Sequence, residues 1–239
     1  MANTFFQFKQ FTVHQEHCAM KVCTDACIQG AFTAQYLRGA TGVHTILDIG
    51  AGTGLLSLML AQAHPAAITA IELDAGAALQ SRENFAASPW ADRLSLLEAD
   101  VRALQPTALY DFVITNPPFY ESALKSGHAQ KDQAMHATNL DYAALLQAIA
   151  AHLKPGGSFS VLLPYQEFLL FRELAERAGF HACRLLQVKQ SVRHGYFRTV
   201  GIFSRELQTT VEEELDIRDA HNNYTAAFTA LLQPYYLKL

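Results

Sequence analysis

The chain has 239 residues, 50% of them hydrophobic and 17% charged, with a formal net charge of −4 and a pI near 6.2. This length and apolar fraction suffice for one domain, residues 1–239, with a full core; the acidic balance argues against a general polyanion binder, while a local basic patch is compatible with it, so charge alone neither supports nor excludes nucleic acid. Apolar runs such as LLSLMLAQA stop well short of the roughly 20 residues that span a bilayer, and MANTFFQFKQ lacks a basic region followed by an apolar block, so no membrane insertion or export is expected.

In chain order, HTILDIG (44–50) reads as a buried strand, GLLSLMLAQA (54–63) as a helix and AAITAIEL (66–73) as the next strand. AGAALQSRENFAA then reads as a helix whose cap is Asp74, followed by strands at RLSLLEAD (93–100) and LYDFVIT (109–115). LDYAALLQAIAAHL reads as an amphipathic helix that stops at KPGG through Gly156 and Gly157, and SFSVLLP as a fifth strand. QEFLLFRELAERAG reads as a helix ending at Gly179, and FHACRLLQVKQ and YFRTVGIFSRE as two strands joined by SVRHG in a hairpin. The alternation predicts an α/β fold: a doubly wound, seven-stranded, mostly parallel sheet with a C-terminal antiparallel hairpin.

Four cysteines, Cys18, Cys23, Cys27 and Cys183, in a chain that needs no disulfide fit a reducing compartment, the cytoplasm by default. His14 and His17 near the first three do not reproduce a paired CxxC or helical HExxH spacing, so no metal is expected. In doubly wound sheets the ligand lies outside the carboxyl ends of the strands. After the first predicted strand comes D-I-G-A-G-T-G, with Asp48, Gly50, Ala51, Gly52 and Gly54 directly before a helix. Glycines there allow a tight turn and close approach to a ligand, and the helix N-terminus offers free N–H groups.

The G-x-G-x-G spacing differs from the dinucleotide fingerprint, and Glu72 ends the next strand, followed by Leu73. These residues resemble the class I S-adenosylmethionine-dependent methyltransferases, which have a Rossmann-like fold. The resemblance implies that Gly50, Gly52 and Gly54 let the backbone pass the methionine and ribose, and that Asp48 helps orient the ammonium through the loop. It further implies that Glu72 accepts from the ribose hydroxyls, while Asp100, followed by Val101, sits by the adenine amine.

TNPPFY (115–120) ends the fourth strand with an amide and two prolines, a stiff extended exit. Asn116, Pro117, Pro118 and Phe119 resemble the D/N-P-P-Y/F motif of methyltransferases acting on planar nitrogen. The resemblance implies that the Asn116 side-chain oxygen and the Pro117 carbonyl accept the two N–H groups, and that Phe119 stacks on the base with Tyr120 as a second wall.

FKQFTVHQEHCAMKVCTDACIQGAF resembles the segment KQF...H....MKVGTDG..LGAW of bacterial tRNA adenine-N6 methyltransferases that modify adenine 37 of a valine tRNA. The matches are Lys9-Gln10-Phe11, Met20-Lys21-Val22, Thr24-Asp25 and Gly30-Ala31, within an N-terminal cap segment, residues 1–40. Cys23 and Ala26 stand where the pattern has glycines, and a Cβ at either would penalise a left-handed backbone. In the polar loop ESALKSGHAQKDQAMHA, Met135 replaces an expected phosphate contact, leaving Lys125, His128, Lys131 and His136 to meet RNA. Lys21, Thr24, Asp25 and Arg193 join the expected substrate contacts, and Lys189, Arg193, Arg198 and Arg205 an expected basic rim. The expected partner is a tRNA, met by a monomer. Alternatives are methylation of a protein glutamine or an rRNA guanine amine, or a non-catalytic module that binds cofactor and RNA.

Overall fold

Short β-branched runs separated by helical segments build a large mixed sheet. The computed structural model describes residues 4–18, 20–118 and 142–239. A two-stranded hairpin, β1 (Phe5–Gln7) and β2 (Thr12–His14), precedes helix α1 (Thr24–Gly39). Then come β3 (Thr45–Ile49), α2 (Leu55–Ala63), β4 (Ala67–Glu72), α3 (Ala75–Ala86), β5 (Leu94–Glu98) and β6 (Tyr110–Thr115). Residues 142–152 are helical (α4). They are followed by β7 (Leu153–Pro164), α5 (Tyr165–Arg177), β8 (His181–Ser191), β9 (Tyr196–Ser204), β10 (Val211–Arg218) and α6 (Ala226–Leu232).

The sheet has eight strands in the order β10-β8-β9-β7-β6-β3-β4-β5, one more than the sequence predicts. The additional strand is β10, which pairs parallel to β8. Only β9 runs against its neighbours, inserted between β7 and β8. The chain steps outward from β3 through β4 to β5, then returns to lay β6 on the other side of β3. Strand order therefore reverses between β3 and β6, and the crevice of a doubly wound sheet opens at their carboxyl ends.

Successive residues of the central strands face opposite layers, as the period of two requires. Ile46, Ile114 and Leu162 join the core under α1, α2 and α6, while Leu47, Val113 and Val161 join the core under α4 and α5. Gly179 ends α5 in the left-handed region at φ 77°, with its N–H bonded to Glu176 and that of Phe180 bonded to Ala175. This is the expected glycine stop.

KPGG behaves differently from its reading as a helix stop. Gly156 and Gly157 lie within β7, and a Cβ on Gly157 would stand 2.8 Å from the Asp111 carbonyl oxygen. The glycine is needed there for close strand approach rather than to cap α4. The glycine-replacing residues at the start of α1 are unstrained: Cys23 is extended (φ −127°) and Ala26 is helical.

Candidate active site

The glycine loop is built for a bare main-chain surface. Gly50, Gly52 and Gly54 all have positive φ, at 74°, 55° and 79°. A Cβ on Gly50 or Gly52 would meet nothing within 4 Å, so these two present open backbone, whereas one on Gly54 would strike the Phe85 ring at 2.5 Å. Gly54 thus serves packing of α2 on α3, and Gly50 and Gly52 serve the crevice.

That crevice is a cavity of about 410 Å³, a size suited to a small-molecule ligand. Gly50 and Gly52 line it with Glu72, Leu73, Asp100, Val101, Asn116 and Pro118, so the ends of β3, β4, β5 and β6 converge as expected. The floor and walls also include Ile49, Ile71, Ala77 and Ala99, together with Cys18, Met20 and Arg102. Arg102 is legible only as the second residue after Asp100 and Cys18 only as a cysteine, whereas Met20 belongs to the matching Met20-Lys21-Val22 of the N-terminal cap segment. Cys18 and Met20 come from the N-terminal segment, which is anchored on α3: Asn84 accepts from the His14 N–H at 2.9 Å and Gln80 from the His17 N–H at 3.2 Å.

Three carboxylates, Glu72, Asp74 and Asp100, border the cavity in different states of engagement. Glu72 accepts from the Gly52, Leu73 and Asp74 N–H groups at 2.8, 2.9 and 2.9 Å, which fixes the acid against the glycine loop. Asp100 is forked by the Arg102 guanidinium at 2.9 and 2.7 Å and accepts from the Arg102 N–H. These bonds hold its carboxyl down at about 2. Asp74 caps α3 through the Ala77 N–H, as the sequence suggests.

Asp48 lies behind the loop, fully buried and outside the cavity lining. One of its oxygens accepts from the Ser57 hydroxyl (2.7 Å) and N–H (3.2 Å); the other has no hydrogen-bond partner among the described residues. Burial pushes this carboxyl up to about 7 against the two Ser57 bonds. Ala51 is also buried and does not line the cavity. Asn116 presents the second orphan: its side-chain oxygen is buried and without a partner among the described residues, yet the residue borders the cavity. Pro117 is half-buried and Pro118 exposed.

The expected substrate contacts gather only in part. Asp25 is committed to Arg198 at 2.9 Å, and Lys189 to Glu214 at 2.6 Å. Lys21 donates to the Gln15 and Cys18 carbonyls, and Arg193 to the Ala220 carbonyl. Thr24 faces a separate hollow with His194, Arg218 and Tyr224. Arg205 lies at the opposite end of the sheet, over the Phe180 ring that precedes β8, so it cannot share a rim with the others. Phe119, Tyr120, Lys125, His128, Lys131, Met135 and His136 lie outside the described residues. Among the described residues no group of three His, Cys, Asp or Glu could hold a metal ion, and no helix is long and apolar enough to cross a membrane.

Residues 32–190 match the methyltransferase small domain family. The chain belongs to this family. The methyltransferase is 43% identical to a tRNA1(Val) (adenine(37)-N6)-methyltransferase of Dyadobacter fermentans over 241 residues, covering 99% of this chain and 98% of that one. It is 40% identical to the protein of the same name from Escherichia coli O157:H7, covering 97% and 94%. Among solved structures it is similar to a predicted O-methyltransferase from Agrobacterium tumefaciens (TM-score 0.67, 18% identity, 88% of this chain and 96% of that one). A glycopeptide N-methyltransferase shares the fold at TM-score 0.53 and 16% identity, over 74% and 94%. The family's span begins inside α1, so Cys18 and Met20 reach the cavity from outside it.

Proposed function

We infer that this methyltransferase transfers a methyl group from S-adenosylmethionine to the exocyclic N6 of an adenine in tRNA, the target being adenine 37 of a valine tRNA. The observation that carries the reading is the Asn116 side-chain oxygen, a buried acceptor with no partner among the described residues, at the cavity's edge where strand order reverses. A buried polar atom left unpaired costs free energy unless a ligand supplies the missing donor. The near-full-length identity to relatives named for this reaction supports the same substrate.

The cavity residues fit the cofactor. Gly50 and Gly52 offer bare backbone, Glu72 can accept from ribose hydroxyls, and Asp100 with Val101 and Leu73 can border the adenine. When bound, S-adenosylmethionine supplies an electrophilic methyl group on a positively charged sulfur. An adenine amine is a weak nucleophile because its lone pair is delocalised into the ring. The Asn116 oxygen and the Pro117 carbonyl accept its two N–H groups, favour a pyramidal nitrogen, and leave the lone pair facing the cavity. The prolines hold these acceptors before substrate arrives, so their ordering cost does not fall on the transition state. No strong base is required, because the methylated nitrogen is acidic while it carries positive charge and its proton passes to water.

The substrate base is unpaired in an anticodon loop, so little stacking energy opposes its entry. Residues 1–40 act as a cap over the cofactor within one domain, in keeping with Cys18 and Met20 in the cavity wall. The protein acts as a monomer in the cytoplasm, a reading in keeping with its four free cysteines.

The test is transfer of labelled methyl to total tRNA from cells lacking this modification, followed by nucleoside analysis. N6-methyladenosine confined to a valine tRNA is expected. Labelled tRNA carrying another nucleoside would discard the target, and labelled glutamine peptides with unlabelled tRNA would replace it. Asn116→Ala is expected to lower transfer by about 100-fold or more with cofactor affinity nearly unchanged; equal loss of both would remove its assigned role.

A further inference from the structure

Beneath the exit of β6 lies a buried polar network that no step above uses. Gln29, Thr33 and Ser160 are each 0% exposed, and Thr115 is 1% exposed. The Gln29 Nε2 of α1 donates to the Thr115 carbonyl at 2.9 Å and stands 3.5 Å from the Ser160 hydroxyl, which is 2.8 Å from that of Thr33. A buried carboxamide is costly where it is not bonded, and the Gln29 Oε1 has no hydrogen-bond partner among the described residues, so the bonds of its Nε2 are what offset the cost.

The bonded atom is informative. The Thr115 carbonyl belongs to the peptide plane that carries the nitrogen of Asn116. Holding that oxygen fixes the plane from which Asn116 and Pro117 project. The Thr115 hydroxyl meanwhile donates to the Ile49 carbonyl at 2.9 Å, in the peptide plane that carries Gly50. Thr115 and Ile49 are also register partners across β6 and β3. One residue therefore references the amide end of the site to the glycine loop, and Gln29 locks that residue from the helix side. Transfer between two bound groups depends steeply on such alignment, with a misplacement of about 1 Å costing on the order of 100-fold.

We propose that Gln29 is a positioning residue for methyl transfer, acting through the Thr115 carbonyl on Asn116. This rests on the role inferred for Asn116 above. Gln29 touches neither the cavity nor, by this account, either substrate; its N–H group sets where Asn116 stands.

Two variants separate this from packing. Gln29→Met keeps the volume and removes the N–H, and Gln29→Glu can donate to Thr115 only while protonated. In a buried site its carboxyl titrates above the usual carboxylate range. For Gln29→Met we expect kcat to fall about tenfold or more, with KM for tRNA and the cofactor Kd from calorimetry within about twofold of the parent. For Gln29→Glu the kcat relative to the parent is expected to be near one at the acidic end of a pH series and to fall as pH rises, because the ionised oxygen then faces the Thr115 carbonyl. The same ratio for Gln29→Met is expected to be flat with pH. A Gln29→Met enzyme with parental kcat would overturn the proposal, as would a loss shared equally by cofactor affinity and melting temperature, or a flat Gln29→Glu ratio. Asn116→Ala in parallel distinguishes the failures. If that variant still transfers methyl, the reading of Asn116 is wrong; if it does not and the Gln29 variants behave as the parent, only the positioning role fails.

Discussion

A carboxyl sealed behind a backbone loop has a pH signature of its own. Asp48 titrates at about 7 when folded, above the ordinary carboxylate value of 3.8. The folded protein therefore holds a proton there that the unfolded chain has released, and Asp48 favours folding most at low pH. That contribution declines as pH rises from about 4 to about 7 and is gone above it. Asn at this position can still accept both Ser57 bonds through its own oxygen and carries no charge to desolvate. The cofactor-free Asp48→Asn protein is therefore expected to gain stability over the parent at about pH 8, on the order of 2 kcal/mol, and little or nothing at about pH 4. Melting curves across that range check it, and a gain independent of pH would show that burial of charge is not the cause. Asp111 works in the opposite sense. Although burial pushes it up, Lys154 at 2.7 Å and the His44 and Thr45 donors hold it at about 2, so its contribution is lost as pH falls below about 4.

Single elements depend on one another through few side chains, and Asn84 of α3 is the clearest case. It is 1% exposed, accepts from the His14 N–H, and donates to the carbonyls of His14 (2.8 Å) and Thr53 (2.9 Å). One amide joins the β1–β2 hairpin to the glycine loop. Asn84→Ala would strand three backbone groups and is expected to cost about 2–3 kcal/mol. Hydrogen exchange should show the His14 amide losing protection while β3 and β6 keep theirs; retained protection at His14 would contradict the assignment. Little of this was legible in the sequence, because Asn84 sits in a helix with no motif and its partners are distant in the chain. The strands that hold the site were legible, since ILDI and FVIT are buried on both faces and AITAIE at Ile68, Ala70 and Ile71, so that all three read as largely apolar runs. β10 was missed for the opposite reason. VEEELDIR reads as a solvated acidic run, but its acids meet cations on β8, Arg184 with Glu213 and Lys189 with Glu214. Charge pairing across an edge, invisible to hydrophobic periodicity, makes it a strand.

At the scale of the whole molecule, the site's residues were more legible than the surface meant to receive RNA. Glycines and a strand-end asparagine announce themselves by spacing, whereas the destiny of an arginine depends on what the fold sets beside it, as Arg198 and Arg205 show. The family's span, 32–190, is also shorter than a folding unit. It cuts α1 and omits β9, which separates β7 from β8, so a fragment of those residues would leave β8 without either of its partners. Such a fragment is expected to show no cooperative melt by circular dichroism, and a sharp transition would refute this. Residues far apart in the sequence also meet. Phe8 pairs with Tyr236, the Lys9 N–H donates to the Tyr235 carbonyl, and Phe8 and Tyr235 are both about 1% exposed. On the ribosome, Phe8 must wait for Tyr235 and Tyr236 before it finds this cover. The nascent protein therefore keeps an oily flank uncovered until Tyr235 and Tyr236 have left the exit tunnel.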